Sequence, residues 1–244
     1  MSEDMLCGRN SVLEALKGSR PLNKIFIQEG KLEGNIKEII RLGKELSVPV
    51  EIVPLAKLKA LAGETPSQGV VAFAAPVNYY QLEDVLDLAN AKQQPPLLLL
   101  LDGLEDPQNV GAILRTAAAA GVDGILLPKK RSCQITPAVI RASAGMAEHV
   151  PVVRIGNIVQ TLDNLKKAGF WVIGADMQGE IYYEKTDFNY PIIMVIGSEG
   201  KGIARLVKEH CDIILRIPMP GKGDSLNASV AAALLIYEVL RKRG

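Results

Sequence analysis

Apolar positions recur along this chain with two different spacings. Near the start, Val12, Leu13 and Leu16 fall on one face and predict a helix over 10–17. Short β-branched runs predict strands over 24–28, Val50–Val53 and Val70–Ala74. Helical spacing lies between them, over 35–46 and Leu55–Ala62. Further on, five consecutive leucines at 97–101 have no polar alternation, which suits a strand buried on both faces. Similar runs predict strands over 124–127, Val152–Ile155, Trp171–Ala175, 192–196 and 213–217. Helical periods separate most of them, over 110–120, 137–144, 158–168 and 203–210, and an alanine-rich helix closes the chain.

This order predicts an α/β protein in two parts. Residues 1–76 form a small α/β domain. Residues 77–95 are polar and bracketed by Pro76 and the pair Pro95–Pro96, and are expected to be a linker. Residues 96–244 alternate strand and helix, the pattern of a mostly parallel sheet with helices on both faces. Ligands of such sheets bind beyond the carboxyl ends of the strands, so the loops there should carry the chemistry.

Composition narrows the class. Of 244 residues, 48% are hydrophobic and 23% charged, as in an ordinary soluble globular protein. No apolar run is long enough to span a bilayer, and the first ten residues lack the basic and apolar regions of a secretory signal. Cys7, Cys133 and Cys211 are odd in number and far apart, which fits a reducing cytoplasm and not a zinc site. The net charge of +1 neither requires nor excludes a nucleic-acid partner, because binding depends on where the charges sit.

Three loops concentrate polar residues. In "DGLEDPQNVGAILR", Asp102–Arg115, the pair Asp106–Pro107 opens a helix, and Gly111 and Arg115 share one face of it. This is either a capped helix with a surface arginine, or a guanidinium held over bare backbone where an anion or ribose can approach. In "IGSEGKG", 196–202, three glycines make either an ordinary tight strand-to-helix turn or one whose backbone N–H groups face a ligand, and Glu199 among them favours a cation or ribose hydroxyls over phosphate. In "IPMPGKGDSLNASV", 217–230, Asn227 or Ser225 can cap the last helix, while Pro218, Pro220, Gly221 and Gly223 shape an irregular backbone before it. "GKGDS" lacks the spacing of a nucleotide-binding P-loop. His149 and His210 stand alone, and no clustered metal ligands or Ser/His/Asp pattern appears, so metal-assisted hydrolysis and acyl transfer are poorly supported.

Taken together, "NVGAILRTAAAAGV", "VIGSEGKGI" and "IPMPGKGDSLNASVAAALLIYE" resemble the three motifs of the SpoU-type SPOUT RNA ribose 2′-O-methyltransferases. "CGRNSVLEALKG" and "SQGVVAFA" resemble the accessory RNA-binding domain of that family, with Ser67 where members often carry His. The resemblance implies a C-terminal deep trefoil knot, with S-adenosyl-L-methionine bent inside it. It implies cofactor contacts at Gly174, Gly197, Gly200, Ile217, Met219, Ser225, Leu226 and Asn227. It assigns Arg115 to activation of the ribose hydroxyl, with Asn109, Glu199, Ser225 and Asn227 positioning the substrate and the loops. A guanidinium is too weakly acidic to serve as a base, so Arg115 is expected to bind the neighbouring phosphate and stabilise the developing alkoxide. No metal is implied. A homodimer through the knotted domain is implied, with Arg115 near a site that the second subunit helps complete.

The subgroup resembled is the one that methylates a guanosine of 23S ribosomal RNA. A transfer-RNA target, or a non-catalytic RNA-binding role in ribosome assembly, are the alternatives. Arg9, Lys17, Arg20, Lys129, Lys130, Arg131 and Arg141 are candidate RNA contacts.

Overall fold

A computed structural model describes the chain apart from residues 1–3, 19, 31–32, 180 and 223–224. Gly223 and Asp224 of the last loop therefore lie outside the described residues. The chain forms two compact units. The first comprises residues 1–78 together with 135–149, and the second residues 79–134 and 150–244.

The first unit is built on four strands, β1 (Asp4–Cys7), β2 (Leu22–Gln28), β3 (Val50–Val53) and β4 (Val70–Ala74), in the order β1-β4-β2-β3. Its helices α1 (Arg9–Lys17), α2 (Asn35–Glu45) and α3 (Leu55–Ala62) follow the predicted spacing, and Val12, Ile36, Ile39 and Leu58 are buried. β1 was not expected; its sequence DMLC is too short and mixed to show a period, and it forms by antiparallel pairing with β4. The segment 135–149 brings a short helix, α6 (Pro137–Ala142), and a 3₁₀ turn at Met146–His149. Arg20 fastens it to the rest of the unit. Its buried guanidinium donates to the Ala75 carbonyl at 2.7 Å, to Glu148 Oε1 at 3.0 Å and to Asp4 Oδ2. Arg20 thus leaves the set of candidate RNA contacts: its charge is spent inside the fold, where losing one partner costs about 3–5 kcal/mol.

The second unit holds seven parallel strands: β5 (Leu97–Asp102), β6 (Gly124–Pro128), β7 (Val152–Ile155), β8 (Trp171–Ala175), β9 (Ile181–Tyr182), β10 (Ile192–Gly197) and β11 (Ile213–Arg216). Their order is β7-β6-β5-β10-β8-β11-β9, each pair parallel. The five leucines of β5 are all buried, as are Ile192–Ile196 of β10 beside it. The flanking helices are α4 (Leu82–Asn90), α5 (Pro107–Ala120), α7 (Ile158–Lys167), α8 (Arg205–Glu209) and α9 (Ala228–Arg243). The stretch 77–95 contains α4, whose Val85 lies in the same core as Leu98, Leu126 and Val153. β9 escaped sequence reading because two residues carry no period.

The ends of the helices explain their bounds. Asp106 caps α5 by accepting from the N–H groups of Gln108 (3.2 Å) and Asn109 (3.1 Å), Pro107 occupies the first turn, and Gly121 ends the helix at φ 71°. α9 packs on α5. At its far end Arg243 donates to the carbonyls of Phe188, Tyr190, Pro95 and Pro96, beside the starts of β5 and β10. No helix among the described residues is long and apolar enough to cross a membrane.

Candidate active site

The loops at the carboxyl ends of β8, β10 and β11 enclose a cavity of about 600 Å³ in the second unit. Its floor is the turn after β10. Ser198 and Gly202 exchange backbone hydrogen bonds, Ser198 N to Gly202 O at 3.1 Å and Gly202 N to Ser198 O at 2.9 Å. This closes a small loop with Glu199 at its shoulder. Gly197 is required there: a Cβ on it would stand 2.2 Å from the Gly202 carbonyl carbon and 2.4 Å from the Ile203 nitrogen. Those neighbours are backbone and cannot move aside. Beneath the floor, a Cβ on Gly174 would come within 2.9 Å of Ile203, Cys211 and Ile214 side chains.

A buried carboxylate holds this floor to β5. Asp102 Oδ2 accepts from the Ala204 N–H at 2.7 Å, at the start of α8. Asp102 lay inside the first polar loop, but nothing in the sequence marked its role. Only the parallel pairing of Gly197 with Asp102 brings the two ends together.

Glu199 is the hub of the polar network. Its Oε1 accepts from Asn109 Nδ2 at 3.1 Å, from Asn227 Nδ2 and from the Ala228 N–H at 3.3 Å. Asn227 Nδ2 also donates to Asn109 Oδ1 at 2.8 Å. The Asn227 Oδ1 meanwhile caps α9, accepting from the N–H groups of Ser229 (2.9 Å) and Val230 (3.3 Å). Three predicted residues, 118 positions apart at the extremes, thus meet at one carboxylate.

The other predicted residues divide clearly. Gly197, Glu199, Gly200, Ile217, Met219, Ser225 and Leu226 line the cavity. Gly174 lies under its floor, and Asn109 and Asn227 reach it through Glu199. Arg115 is exposed on α5, does not line the cavity, and has no hydrogen bond or ion pair among the described residues. Asp176, Gln178 and Lys208 line the cavity and were not anticipated. Lys208 Nζ pairs with Asp176 Oδ1 at 3.1 Å, and "DMQ" after β8 has no spacing that would announce it. No group of three or more His, Cys, Asp or Glu among the described residues could hold a metal ion.

Burial pushes the Cys211 thiol up to about 12, with Lys166 opposing the shift, and it donates to the Val207 carbonyl at 3.4 Å. It is packing beneath the site and not a nucleophile.

Residues 96–237 match the model of the SpoU rRNA methylase family. The chain belongs to that family. It is an RNA methylase. Residues 5–80 match a second model, that of RNA 2′-O ribose methyltransferase substrate binding. Across its whole length this SpoU methylase is similar to YacO of Bacillus subtilis, assigned by name to the TrmH family of tRNA/rRNA methyltransferases: 45% identity, covering 98% of this chain and 96% of YacO. A similarly named protein of Staphylococcus aureus is 46% identical, covering 100% of this chain and 98% of the relative. Among solved structures, an RNA 2′-O ribose methyltransferase superposes with a TM-score of 0.79 at 28% identity, over 99% of this chain and 89% of its own. The SpoU methyltransferase AviRb of Streptomyces viridochromogenes, solved with AdoMet, has the same fold at a TM-score of 0.82 and 23% identity, over 99% and 90% of the two chains.

Proposed function

We propose that this SpoU methylase moves the methyl group of S-adenosylmethionine to a ribose 2′-hydroxyl, and that the cavity behind Glu199 holds the cofactor. The cofactor of the family is S-adenosylmethionine, and the cavity suits it. Its walls are mixed: apolar at Ile196, Ile203, Ile217 and Leu226, and carboxylate-bearing at Asp176. Backbone groups of 197–202 are left open by glycine for a purine or ribose to approach.

The reaction needs little chemistry from the protein. The 2′-oxygen attacks the sulfonium methyl, the carbon–sulfur bond breaks, S-adenosylhomocysteine leaves and the hydroxyl proton passes to water. In-line placement and stabilisation of the developing alkoxide are the protein's share. The meeting of Asn109, Glu199 and Asn227 carries this reading, since it fixes the cavity rim to the starts of α9 and α5.

Arg115 supplies the cation in this scheme, through a second copy. Its own cavity does not contain it. The exposed stripe of Val230, Leu234 and Tyr237 on α9, spaced for one helical face, suits a homodimer contact. A deep trefoil knot in this unit suits the way β10 inserts between β5 and β8.

The proposed target is a guanosine of 23S ribosomal RNA, acted on in the cytoplasm. The three cysteines are free thiols, which suits a reducing compartment. The test is transfer of labelled methyl from S-adenosylmethionine to 23S ribosomal RNA and to transfer RNA transcripts, followed by mapping of 2′-O-methyl groups. Label on transfer RNA alone would reassign the substrate, and label on neither, with cofactor bound, would leave an RNA-binding protein.

A further inference from the structure

We infer that Lys129, Lys130 and Arg131 form an RNA-phosphate shelf that holds the strand next to the methylated nucleotide. The inference rests on the methylase reading above and singles out three of the candidate RNA contacts.

These three consecutive cations follow β6 directly and are exposed. None of them has an ion pair or a side-chain hydrogen bond among the described residues. Three other lysines of this unit are spent on carboxylates: Lys92 on Asp123, Lys166 on Asp212, Lys208 on Asp176. In a protein of net charge +1, an unpaired run of three positive charges is a local field and not part of a general basic surface.

The backbone under the run is held firmly. Lys129 N donates to the Ile155 carbonyl at 2.8 Å, and Cys133 N to the Leu104 carbonyl at 2.9 Å. Arg154 on β7 donates to the Lys129 carbonyl at 3.1 Å and the Cys133 carbonyl at 3.5 Å, and Ser132 Oγ bonds to the Pro128 carbonyl. Arg131 is left-handed, at φ 53°, a conformation that costs a side-chain-bearing residue and persists where surroundings enforce it. A solvated charged loop needs none of this. The clamps spend internal donors to aim three cations outward.

Position gives the partner. β6 stands beside β5, and β5 beside β10, so the shelf lies about 10 Å across the sheet from the strand that carries the cavity floor. It opens on the same carboxyl edge. The Cys133–Leu104 bond ties it to the loop that leads into α5, whose first turn carries Asn109. A polyanion whose one ribose reaches the cavity would lay its neighbouring phosphates on this edge. The carboxylate of Asp106, in the same loop, is occupied in capping α5.

The experiment uses the full chain with 23S ribosomal RNA and transfer RNA transcripts as probes. Lys129→Ala, Lys130→Ala and Arg131→Gly are combined, the glycine accepting the left-handed backbone. RNA affinity is measured across a salt series, S-adenosylmethionine affinity by calorimetry, and turnover at saturating RNA. The expected result is a salt slope lower by about 0.7–0.9 per lost phosphate contact. KM for RNA rises by roughly tenfold or more, while kcat and cofactor affinity stay within about twofold. Lys129→Arg with Lys130→Arg, keeping Arg131, should retain the wild-type slope. An unchanged slope in the triple variant overturns the shelf while leaving the methylase reading intact. A cofactor affinity that falls in step with RNA affinity overturns it as well, since the loop would then be structural. Wild-type protein that binds neither RNA removes both readings.

Discussion

Asn227 donates its side-chain amide to the Glu199 carboxylate while its amide oxygen caps α9 through the Ser229 N–H at 2.9 Å. One side chain therefore does two jobs, and a substitution can separate them. Asn227→Ser keeps a capping oxygen but loses the donor. Its cap should be as good as in wild type, because Ser and Asn cap about equally well, so the stability it loses, about 1.5–3 kcal/mol at most, reports the missing bond to Glu199. Methyl transfer should nonetheless fall by about tenfold or more, as expected for losing a hydrogen bond to a charged group. Asn227→Ala should lose activity and, in addition, about 1 kcal/mol of stability. Denaturant unfolding and labelled-methyl transfer measure the two effects.

Gly197→Ala tests the floor of the cavity. The added methyl would sit 2.2 Å from the Gly202 carbonyl carbon, so the paired turn at Ser198 and Gly202 must open. Calorimetry should show S-adenosylmethionine affinity reduced by more than about tenfold. Normal affinity would mean that the turn does not shape the cofactor site.

Arg115 is asked to act across a subunit boundary, and this has a distinctive signature. Arg115→Ala and Glu199→Gln should each be nearly inactive as pure proteins. After unfolding together and refolding, half of the dimers are mixed, and each mixed dimer holds one complete site. Activity should return to about a quarter of wild type, as symmetry requires for a shared site. No recovery would place Arg115 and Glu199 in the same protomer's site. Arg115→Lys should lower kcat with cofactor affinity unchanged, because a lysine keeps the charge but not the planar fork.

The stripe on α9 can be tested by itself. Leu234→Asp puts a charge at the middle of the exposed row of Val230, Leu234 and Tyr237. Light scattering should show monomers where wild type gives dimers, with the fold retained by circular dichroism. A wild-type monomer at micromolar concentration would remove the composite site.

Cys211 predicts a pH dependence. Its thiol is raised from 9.0 to about 12 in the folded chain, so the folded state holds the proton more tightly than the unfolded state. The stability gained is complete below pH 9 and is lost as pH rises from there toward 12. Unfolding midpoints of wild type and Cys211→Ala should therefore converge with rising alkalinity. At pH 8 a thiol reagent should modify Cys211 far more slowly in folded protein than in denaturant.

Much of this was readable beforehand. The leucine run of β5 and the isoleucines of β10 declare buried parallel strands because nothing polar interrupts them. Asp106–Pro107 and Asn227 declare helix starts because capping is local chemistry. The convergence on Glu199 could be expected only from the family motifs, since strand order, not spacing, brings position 109 beside 199 and 227. Asp102 and Asp176 show the limit. Asp102 ends β5 and Asp176 follows β8, and only the parallel register reveals what each faces. The segment 135–149 shows it too: its helical period at Val139 and Ile140 was plain, but its place in the first unit depends on Arg20 meeting Glu148, a pairing no periodicity encodes.

Arg243 gives the last helix a second fixed end. Its guanidinium grips carbonyls just ahead of β5 and β10, while the opposite tip of α9 is moored at Glu199. A rod pinned at both tips transmits a push along its length instead of swivelling. Damage at the chain's far end, some sixteen residues from Asn227, should thus be felt as slack in the methyl-donor chamber, although no atom of the terminus touches it.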